Sequence, residues 1–247
     1  MVTGGNTGIG AAIVAAFARA GGNVAMDFVS NRDANAAIVA DAADAGGRVV
    51  PVDADITAQA GLERIRDAAL EAFGRIDVWV NNAGLETRHS LLETSEADFD
   101  RVIAVDLKAT FFGTQVAARQ FLAQGGPGVV VNVSSVHEDW PMPGNTTYCV
   151  AKGGVRMLTR TAGVELGGHG IRVVNVAPGA VDTPINTATM ADPDQRARLT
   201  DAIPLHAVAT PEQIADVVVF AASPQAAYMT ATTIVVDGGI MQGSVGL

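Results

Sequence analysis

Cysteine is all but absent from this 247-residue chain: Cys149 stands alone, so no intrachain disulfide can form, and no paired Cys/His spacing offers a zinc site. Basic residues are scarce as well. Lys plus Arg number 16 against 26 Asp plus Glu, and the formal charge of −10 disfavours approach to a phosphate backbone or an anionic membrane. No apolar run reaches the roughly eighteen residues of a membrane span, and the N-terminus lacks the basic and apolar segments of a secretory leader. These absences point to a reducing, cytoplasmic setting with no metal, nucleic-acid or membrane partner. Linkers are missing too. With 49% apolar and only 17% charged residues, and no Pro/Ser-rich or charge-rich stretch, one domain over residues 1–247 is expected. Only Met1 and Val2 precede the first glycine motif, whereas a buried strand takes about five or six residues, so the first strand reads as truncated.

What is present is an alternation of short β-rich runs with longer Ala-rich stretches. Strands are expected at Asn23–Phe28, Arg48–Val52, Ile76–Val80, Val129–Ser134, Ile171–Val176 and Thr233–Val236. Runs such as VVVNVS and IRVVNV are apolar at consecutive positions, as strands buried on both faces require, so a parallel sheet covered by helices on both sides is predicted. Helices are expected at Ile9–Ala20, Arg32–Ala45, Ala58–Phe73, Ser95–Leu122, Thr146–Leu166 and Pro211–Ala222, with a short one near Pro193–Asp201. Thr94 is a candidate N-cap, and Thr210-Pro211 places proline at the first helical position, where its missing N–H costs nothing. Gly21-Gly22, Gly46-Gly47 and Gly167-Gly168 stand where helices should stop.

Thr3-Gly4-Gly5-Asn6-Thr7-Gly8-Ile9-Gly10 runs from the short first strand directly into an Ala-rich helix. Glycines let backbone approach a pyrophosphate closely, and the helix N-terminus favours the anion. Asn81-Asn82-Ala83-Gly84 follows the third full strand, Ser134-Ser135 ends the next, and Tyr148-x-x-x-Lys152 begins 13 residues after Ser135. Pro178-Gly179 with Thr183, and Asp237-Gly238-Gly239, complete the series. In this order and over essentially the whole chain, these motifs resemble the short-chain dehydrogenase/reductase family, with its TGxxxGIG, NNAG, Ser, YxxxK, PGxxxT and DGG segments. The resemblance implies a single-domain, Rossmann-like, doubly wound α/β fold and an NAD(P)-dependent oxidoreductase. It also implies cofactor contacts from Gly4, Asn6, Thr7, Gly8, Ile9, Gly10, Asn82, Ala83, Gly84, Pro178, Gly179, Val181 and Thr183, together with Tyr148 and Lys152.

A tyrosine titrating near 10 is a poor acid/base group at neutral pH unless something stabilises its phenolate. Lys152, four positions on, shares a helical face with Tyr148 and favours the charged form. Ser135, at the C-terminal end of a parallel strand, is placed to hydrogen-bond a substrate oxygen; strand alternation points Ser134 the other way, and the family spacing selects Ser135. In the family's scheme Tyr148 is the general acid/base and Lys152 also holds the cofactor ribose. Cys149 has no histidine beside it in sequence and reads as a packing residue. One position departs from the pattern: the family's fourth catalytic residue, normally asparagine at a helix kink and proton relay, is here Asp106. Aspartate keeps the acceptor, loses the N–H donor and can add a charge, so an altered pH dependence is expected.

The residue that binds the adenosine ribose should follow the second strand, counting the short first one, and that strand ends Asp27-Phe28-Val29-Ser30-Asn31-Arg32. Asp27 would repel a 2′-phosphate, Phe28 occupies the family's carboxylate position, and Ser30, Asn31 and Arg32 could receive a phosphate. The balance leans to NAD, with use of NADP also open; Asp55-Ile56 is expected at the adenine. Gly84-Leu85-Glu86, Ser134-Ser135-Val136-His137-Glu138 and Ala191-Asp192-Pro193 are closest to the bacterial glucose 1-dehydrogenases within the family. That likeness implies a sugar or polyol substrate, with Glu86, His137 and Glu138 as hydroxyl partners. The rivals are a 3-oxoacyl thioester reductase, which should prefer NADPH and a basic docking face, and a catalytically weak NAD(P)-binding sensor or scaffold. Residues 187–202 read as a substrate lid. The family's assembly mode implies a homo-oligomer, a tetramer foremost, through the two long helices.

Overall fold

Six runs of β-branched and apolar residues become parallel strands in the computed structural model, which describes residues 1–243 apart from the side chain of residue 188. They are β1 (Val24–Phe28), β2 (Val49–Asp53), β3 (Val78–Asn81), β4 (Gly128–Val133), β5 (Ile171–Pro178) and β6 (Thr232–Val236). β1 pairs with β2, and β3, β4, β5 and β6 pair in that order. Val2 alone joins the two groups, bridging Met26 on one side and Val80 on the other. Its N–H donates to Ala25 O and its carbonyl accepts from Asp27 N–H, while Val80 N–H donates to Met1 O. The sheet order is therefore β2-β1-Val2-β3-β4-β5-β6, the doubly wound arrangement expected, with the crossover between Val2 and β3 marking the cleft where ligands bind.

Helices α1 (Gly8–Arg19), α2 (Ala34–Asp44) and α9 (Pro211–Ala222) cover one face, and α3 (Gln59–Phe73), α5 (Ala109–Ala123) and α6 (Thr146–Gly167) the other. Ile13, Val14, Ile214 and Val218 pack on Val2, Met26, Val80 and Val176. On the far face Leu62, Ile65, Val116 and Phe121 pack on Trp79, Val130 and Val173. Fully burying side chains of this size contributes about 1.5–3 kcal/mol each, so both helix layers are held principally by apolar burial.

The long helix expected over Ser95–Leu122 is interrupted. α4 (Glu96–Val102) leads into a π-helical turn (Ile103–Lys108) before α5 begins. A sequence pattern carries the 3.6-residue period but gives no sign of the one extra residue that widens a turn. The N-cap is Ser95, whose Oγ accepts from Asp98 N–H, rather than Thr94. Thr210 and Gln213 form the capping box that starts α9. Gly21 and Gly46 take positive φ after α1 and α2, but α6 runs through Gly167 to a right-handed Gly168, and the left-handed residue is Gly170. Two short helices, α7 (Thr187–Ala191) and α8 (Pro193–Ala202), fill the segment before the last layer. No helix among the described residues is long and apolar enough to cross a membrane.

The sheet also carries a polar row that the strand pattern does not predict. Asn81, Asn132, Asn175 and Thr233 stand at one register across β3, β4, β5 and β6, all on the α5/α6 side. Asn81 Nδ2 donates to Asn132 Oδ1 at 2.8 Å and to Thr114 of α5, Asn132 Nδ2 to Thr159 of α6 at 2.9 Å, and Asn175 Nδ2 to Thr233 Oγ1 at 3.1 Å. Buried amides are tolerable because they meet one another and the helix threonines.

Candidate active site

The C-terminal ends of β1, β3, β4 and β5 open onto the N-terminus of α1, and a groove of about 330 Å³ runs along that edge. Its floor is the glycine loop. Gly4 takes φ +60° and its N–H donates to Asp27 Oδ1 at 2.8 Å, while a Cβ at Gly10 would collide with the Gly4 carbonyl oxygen. Asn82 Nδ2 holds the Thr3 and Gly4 carbonyls at 3.0 and 3.3 Å, and Asn6 Nδ2 ties the loop to Ser30 O at 2.7 Å. Backbone therefore passes where a side chain would close the groove. The bare glycine backbone and the helix N-terminus fit a dinucleotide pyrophosphate.

The expected cofactor residues divide into two groups. Gly4, Asn6, Thr7, Gly8, Ile9 and Gly10 line the groove with Asn82, Ala83 and Gly84; Asp27, Phe28, Asp55 and Ile56 line one end, and Tyr148, Lys152 and Thr183 are also in its wall. Pro178, Gly179 and Val181 stand behind it: Val181 is buried and bridges Ala209, and Gly179 lies against Asp237, whose carboxylate takes the Gly239 and Met241 N–H groups. Asp55 Oδ1 is occupied by Thr57, which holds its carboxyl below the ordinary range. Asp27, desolvated beneath the loop, is pushed up to about 7 despite the Gly4 N–H. Phe28 is buried with Arg32 over its ring, and Arg32 pairs with Asp53. Val29, Ser30, Leu85, Val105, Val133, Pro184 and Ile185 also face the groove.

α6 carries Tyr148 and Lys152 one turn apart into the same cavity, with Lys152 Nζ 5.2 Å from the Tyr148 ring centre. Ser135, extended just past the end of β4, accepts from His137 N–H at 3.2 Å and lies close enough to Tyr148 to favour its phenolate. Burial pushes the Tyr148 phenol above its ordinary value and the Asp106 charge adds to that, against Lys152 and the Ser135 hydrogen bond.

Asp106 lies in the π-helical turn and is fully enclosed at 0% exposure, its Oδ2 3.2 Å from a Lys152 Nζ that is itself 4% exposed. Its Oδ1 accepts Leu85 N–H at 2.9 Å, and its carbonyl accepts the Thr110 hydroxyl at 2.8 Å. Burial raises the Asp106 carboxyl, opposed by Lys152 and the Leu85 N–H. Burial works against the Lys152 ammonium, but Asp106 and Tyr148 outweigh it and leave the lysine above its ordinary value. Gly84 is small for a reason: a Cβ there would meet Asp106 Oδ2 at 3.1 Å and Lys152 Nζ at 3.3 Å.

The three residues expected at substrate hydroxyls have different surroundings. Glu86 spans Arg88, at 2.8 Å, and the buried Asn145 Nδ2, at 2.6 Å, on the loop next to Leu85. His137 stacks on Trp140 with ring centres 5.9 Å apart and meets Tyr148 edge-on at 6.3 Å. Glu138 turns the other way, into the interior, where Ser134 Oγ, Asn175 Nδ2 and Thr233 Oγ1 all donate to it. Sequence reasoning gave no role to Asn145, Trp140 or the asparagine row. The signal for the row was in the strands: β4 and β5 are apolar runs interrupted by one Asn, and β3 ends on another.

The family model described as Enoyl-(Acyl carrier protein) reductase matches residues 4–241. The chain is 41% identical over 240 residues to 3beta-hydroxysteroid dehydrogenase 1 of Eggerthella lenta, covering 97% of this chain and 92% of that protein. It is 35% identical over 241 residues to Glucose 1-dehydrogenase 2 of Bacillus subtilis, covering 97% and 93%. A crystal structure of a short-chain type dehydrogenase/reductase from Mycobacterium marinum superposes with a TM-score of 0.92 at 31% identity, covering 98% of this chain and 94% of that one.

Proposed function

The chain belongs to the short-chain dehydrogenase/reductase family, an oxidoreductase family, and from that premise we propose that it interconverts a secondary alcohol and a carbonyl, with a sugar or polyol the foremost substrate. The observation that carries this reading is that Tyr148 and Lys152 stand in the wall of the glycine-loop groove, with Ser134 lining it and Ser135 next along the chain beside Tyr148. Bound NAD(P) supplies the hydride acceptor or donor. In the oxidation direction Ser135 donates to the substrate oxygen and holds it against Tyr148, whose phenolate oxygen takes the alcohol proton. Lys152 holds the phenolate's charge and, from the groove wall, would hold the ribose of a bound cofactor. Asp106 fixes Lys152 Nζ and Leu85 N–H in place and, when ionised, offsets the lysine charge.

A sugar or polyol is favoured by Glu86, whose side chain is 11% exposed and whose contacts with Arg88 and Asn145 leave lone pairs for a hydroxyl, and by the His137–Trp140 shelf, which suits the C–H face of a saturated ring. We do not extend the hydroxyl-partner role to Glu138, because its oxygens are taken by interior donors. A sterol is the second reading, supported by the apolar shelf and by the similarity to a hydroxysteroid dehydrogenase. For the cofactor we propose NAD first with NADP also accepted: Asp27 opposes a 2′-phosphate when charged, and Arg32 is already paired with Asp53. The lid proposed over residues 187–202 comprises α7 and α8, joined at Asp192, and follows groove residues Thr183–Ile185. Val150, Met157 and Val164 expose an apolar stripe at seven-residue spacing on α6, which supports homo-oligomer assembly through the long helices, a tetramer foremost.

A spectrophotometric screen at 340 nm with aldoses, polyols, a 3β-hydroxysteroid, simple ketones and a 3-oxoacyl thioester, each with both cofactors, tests the reading. Turnover of at least one sugar, polyol or steroid alcohol is expected. Activity on the thioester alone, or cofactor binding without any turnover, overturns it. A kcat/KM ratio above about ten for NADP over NAD, roughly 1.4 kcal/mol, overturns the cofactor preference.

A further inference from the structure

The buried carboxylate that the reaction leaves unused is that of Glu138, whose side chain is 2% exposed. It closes the 3₁₀ turn Val136–Glu138 back onto Ser134, whose Oγ donates to Glu138 Oε2. The same oxygen accepts from Asn175 Nδ2 on β5, and Oε1 accepts from Thr233 Oγ1 on β6 at 2.9 Å. Glu138 N–H also donates to Ser135 O at 3.0 Å. Ser135 is thus held between anchored residues, and its hydroxyl, on the other side of the strand from that of Ser134, accepts from the N–H of His137, whose ring meets Tyr148 edge-on at 6.3 Å. Three neutral side chains donate to one buried carboxylate here, which satisfies both its oxygens and makes its burial tolerable.

We propose that Glu138 is a positioning residue for Ser135: its carboxylate pins the 134–138 turn to β5 and β6, so that the serine hydroxyl stays in contact with the Tyr148 phenol. Arg156 Nε stands 3.8 Å from Glu138 Oε1 and is shared with Asp139, so the carboxylate's charge is partly offset where it sits. The asparagine row supplies the rigid frame, since Asn175 sits at the register of Asn132 and Thr233. The inference rests on the roles given above to Ser135 and Tyr148, and its test is chosen to work without turnover.

The chain has 2 tyrosines, and Tyr228 is fully exposed, so a Tyr228→Phe background leaves Tyr148 alone to be observed. With 3-fluorotyrosine, whose phenol ionises at lower pH than tyrosine's, the ¹⁹F shift of residue 148 reports both its titration midpoint and its hydrogen bond. Glu138→Ala is expected to raise that midpoint by roughly half a pH unit to one, because the charged phenolate loses its donor. Ser135→Ala should shift it in the same direction, and the double variant should match Ser135→Ala alone. Glu138→Gln should stay near the parent: it fills the same space, and Asn175 can turn its unpartnered Oδ1 toward the new amide. Where substrate is turned over, kcat should fall roughly 100-fold in Glu138→Ala with cofactor KM little changed, as for a displaced reactive group. If Glu138→Ala does not fold, Thr233→Val removes one anchor and should give a smaller shift in the same direction. Equal shifts in the Gln and Ala variants would mean an electrostatic role only, and an unmoved midpoint, or additive effects with Ser135→Ala, would mean no coupling; each overturns the proposal. Absence of turnover with a coupled ¹⁹F response would instead count against the proposed function alone.

Discussion

Asp106 Oδ2 and Lys152 Nζ lie 3.2 Å apart with almost no solvent at either. The lysine that stabilises the Tyr148 phenolate therefore shares its charge with a carboxylate on the neighbouring helix turn, and ionised Asp106 works against the phenolate while holding Lys152 in position. Removing either partner of such a pair leaves an uncompensated buried group, so the pair fixes geometry even where it adds little net stability.

Asp106→Asn keeps an acceptor for Leu85 N–H but removes the negative charge, leaving Lys152 free to act on Tyr148 alone. Alcohol oxidation needs the phenolate, so its kcat/KM rises with pH through the Tyr148 midpoint, which the variant should move to lower pH by about one unit, or ~1.4 kcal/mol. A pH–rate profile from acid to alkaline measures it, with thermal unfolding run alongside. An unchanged acid limb would mean that Asp106 does not influence the tyrosine.

The strands were legible because each is an apolar run buried on both faces, and β5 and β6 lie within two residues of where periodicity puts them. The glycine loop and the Tyr148/Lys152 pair were legible because they depend on short-range spacing. The π-helical turn at Asp106 was not, since local pattern does not distinguish a widened turn from a regular one, and neither was the direction of Glu138. A glutamate three residues after Ser135 reads as a ligand for substrate; only the register that sets Asn175 and Thr233 level with Asn132, two residues before Ser134, makes it an interior anchor. Asp27 was visible as an acid near the cofactor end, but its desolvation beneath Gly4 depends on the fold.

That desolvation has a measurable cost. Asp27 titrates at about 7 in the folded chain against an ordinary value of 3.8, so between those pH values the folded state keeps a proton that the unfolded state releases. Stability from this group therefore falls as pH rises across that window and levels off above it. The Met1 ammonium, held down to about 5 by burial, acts in the opposite sense, so the comparison is between variant and parent. Asp27→Asn, which retains an acceptor for Gly4 N–H, should have a Tm advantage that grows from pH 5 to pH 8. It corresponds to a few kcal/mol at most, since each pH unit separating the folded and unfolded titrations is worth about 1.4 kcal/mol. The same variant should raise kcat/KM for NADP more than for NAD above pH 7. A Tm difference that is flat with pH would show that Asp27 is not protonated in the folded state.

Gly10 separates the two duties of the glycine loop, holding its own shape and admitting a pyrophosphate. A Cβ there would strike the Gly4 carbonyl oxygen and stand 2.6 Å from Asn82 Nδ2, both of which are fixed by β3 and the loop's own hydrogen bonds. The backbone cannot yield without breaking the Gly4 N–H···Asp27 contact, so Gly10→Ala should weaken NAD(P) binding by at least about 100-fold, with a loss of stability on the order of 1–3 kcal/mol from overpacking. Gly74→Ala serves as a comparison, because it is a positive-φ glycine with open space around it at the end of α3: it should cost stability while leaving cofactor affinity intact. Calorimetric titration with each cofactor, beside thermal unfolding without one, distinguishes the two effects. Equal affinity losses in both variants would mean that Gly10 acts through global stability rather than through the shape of the cofactor loop.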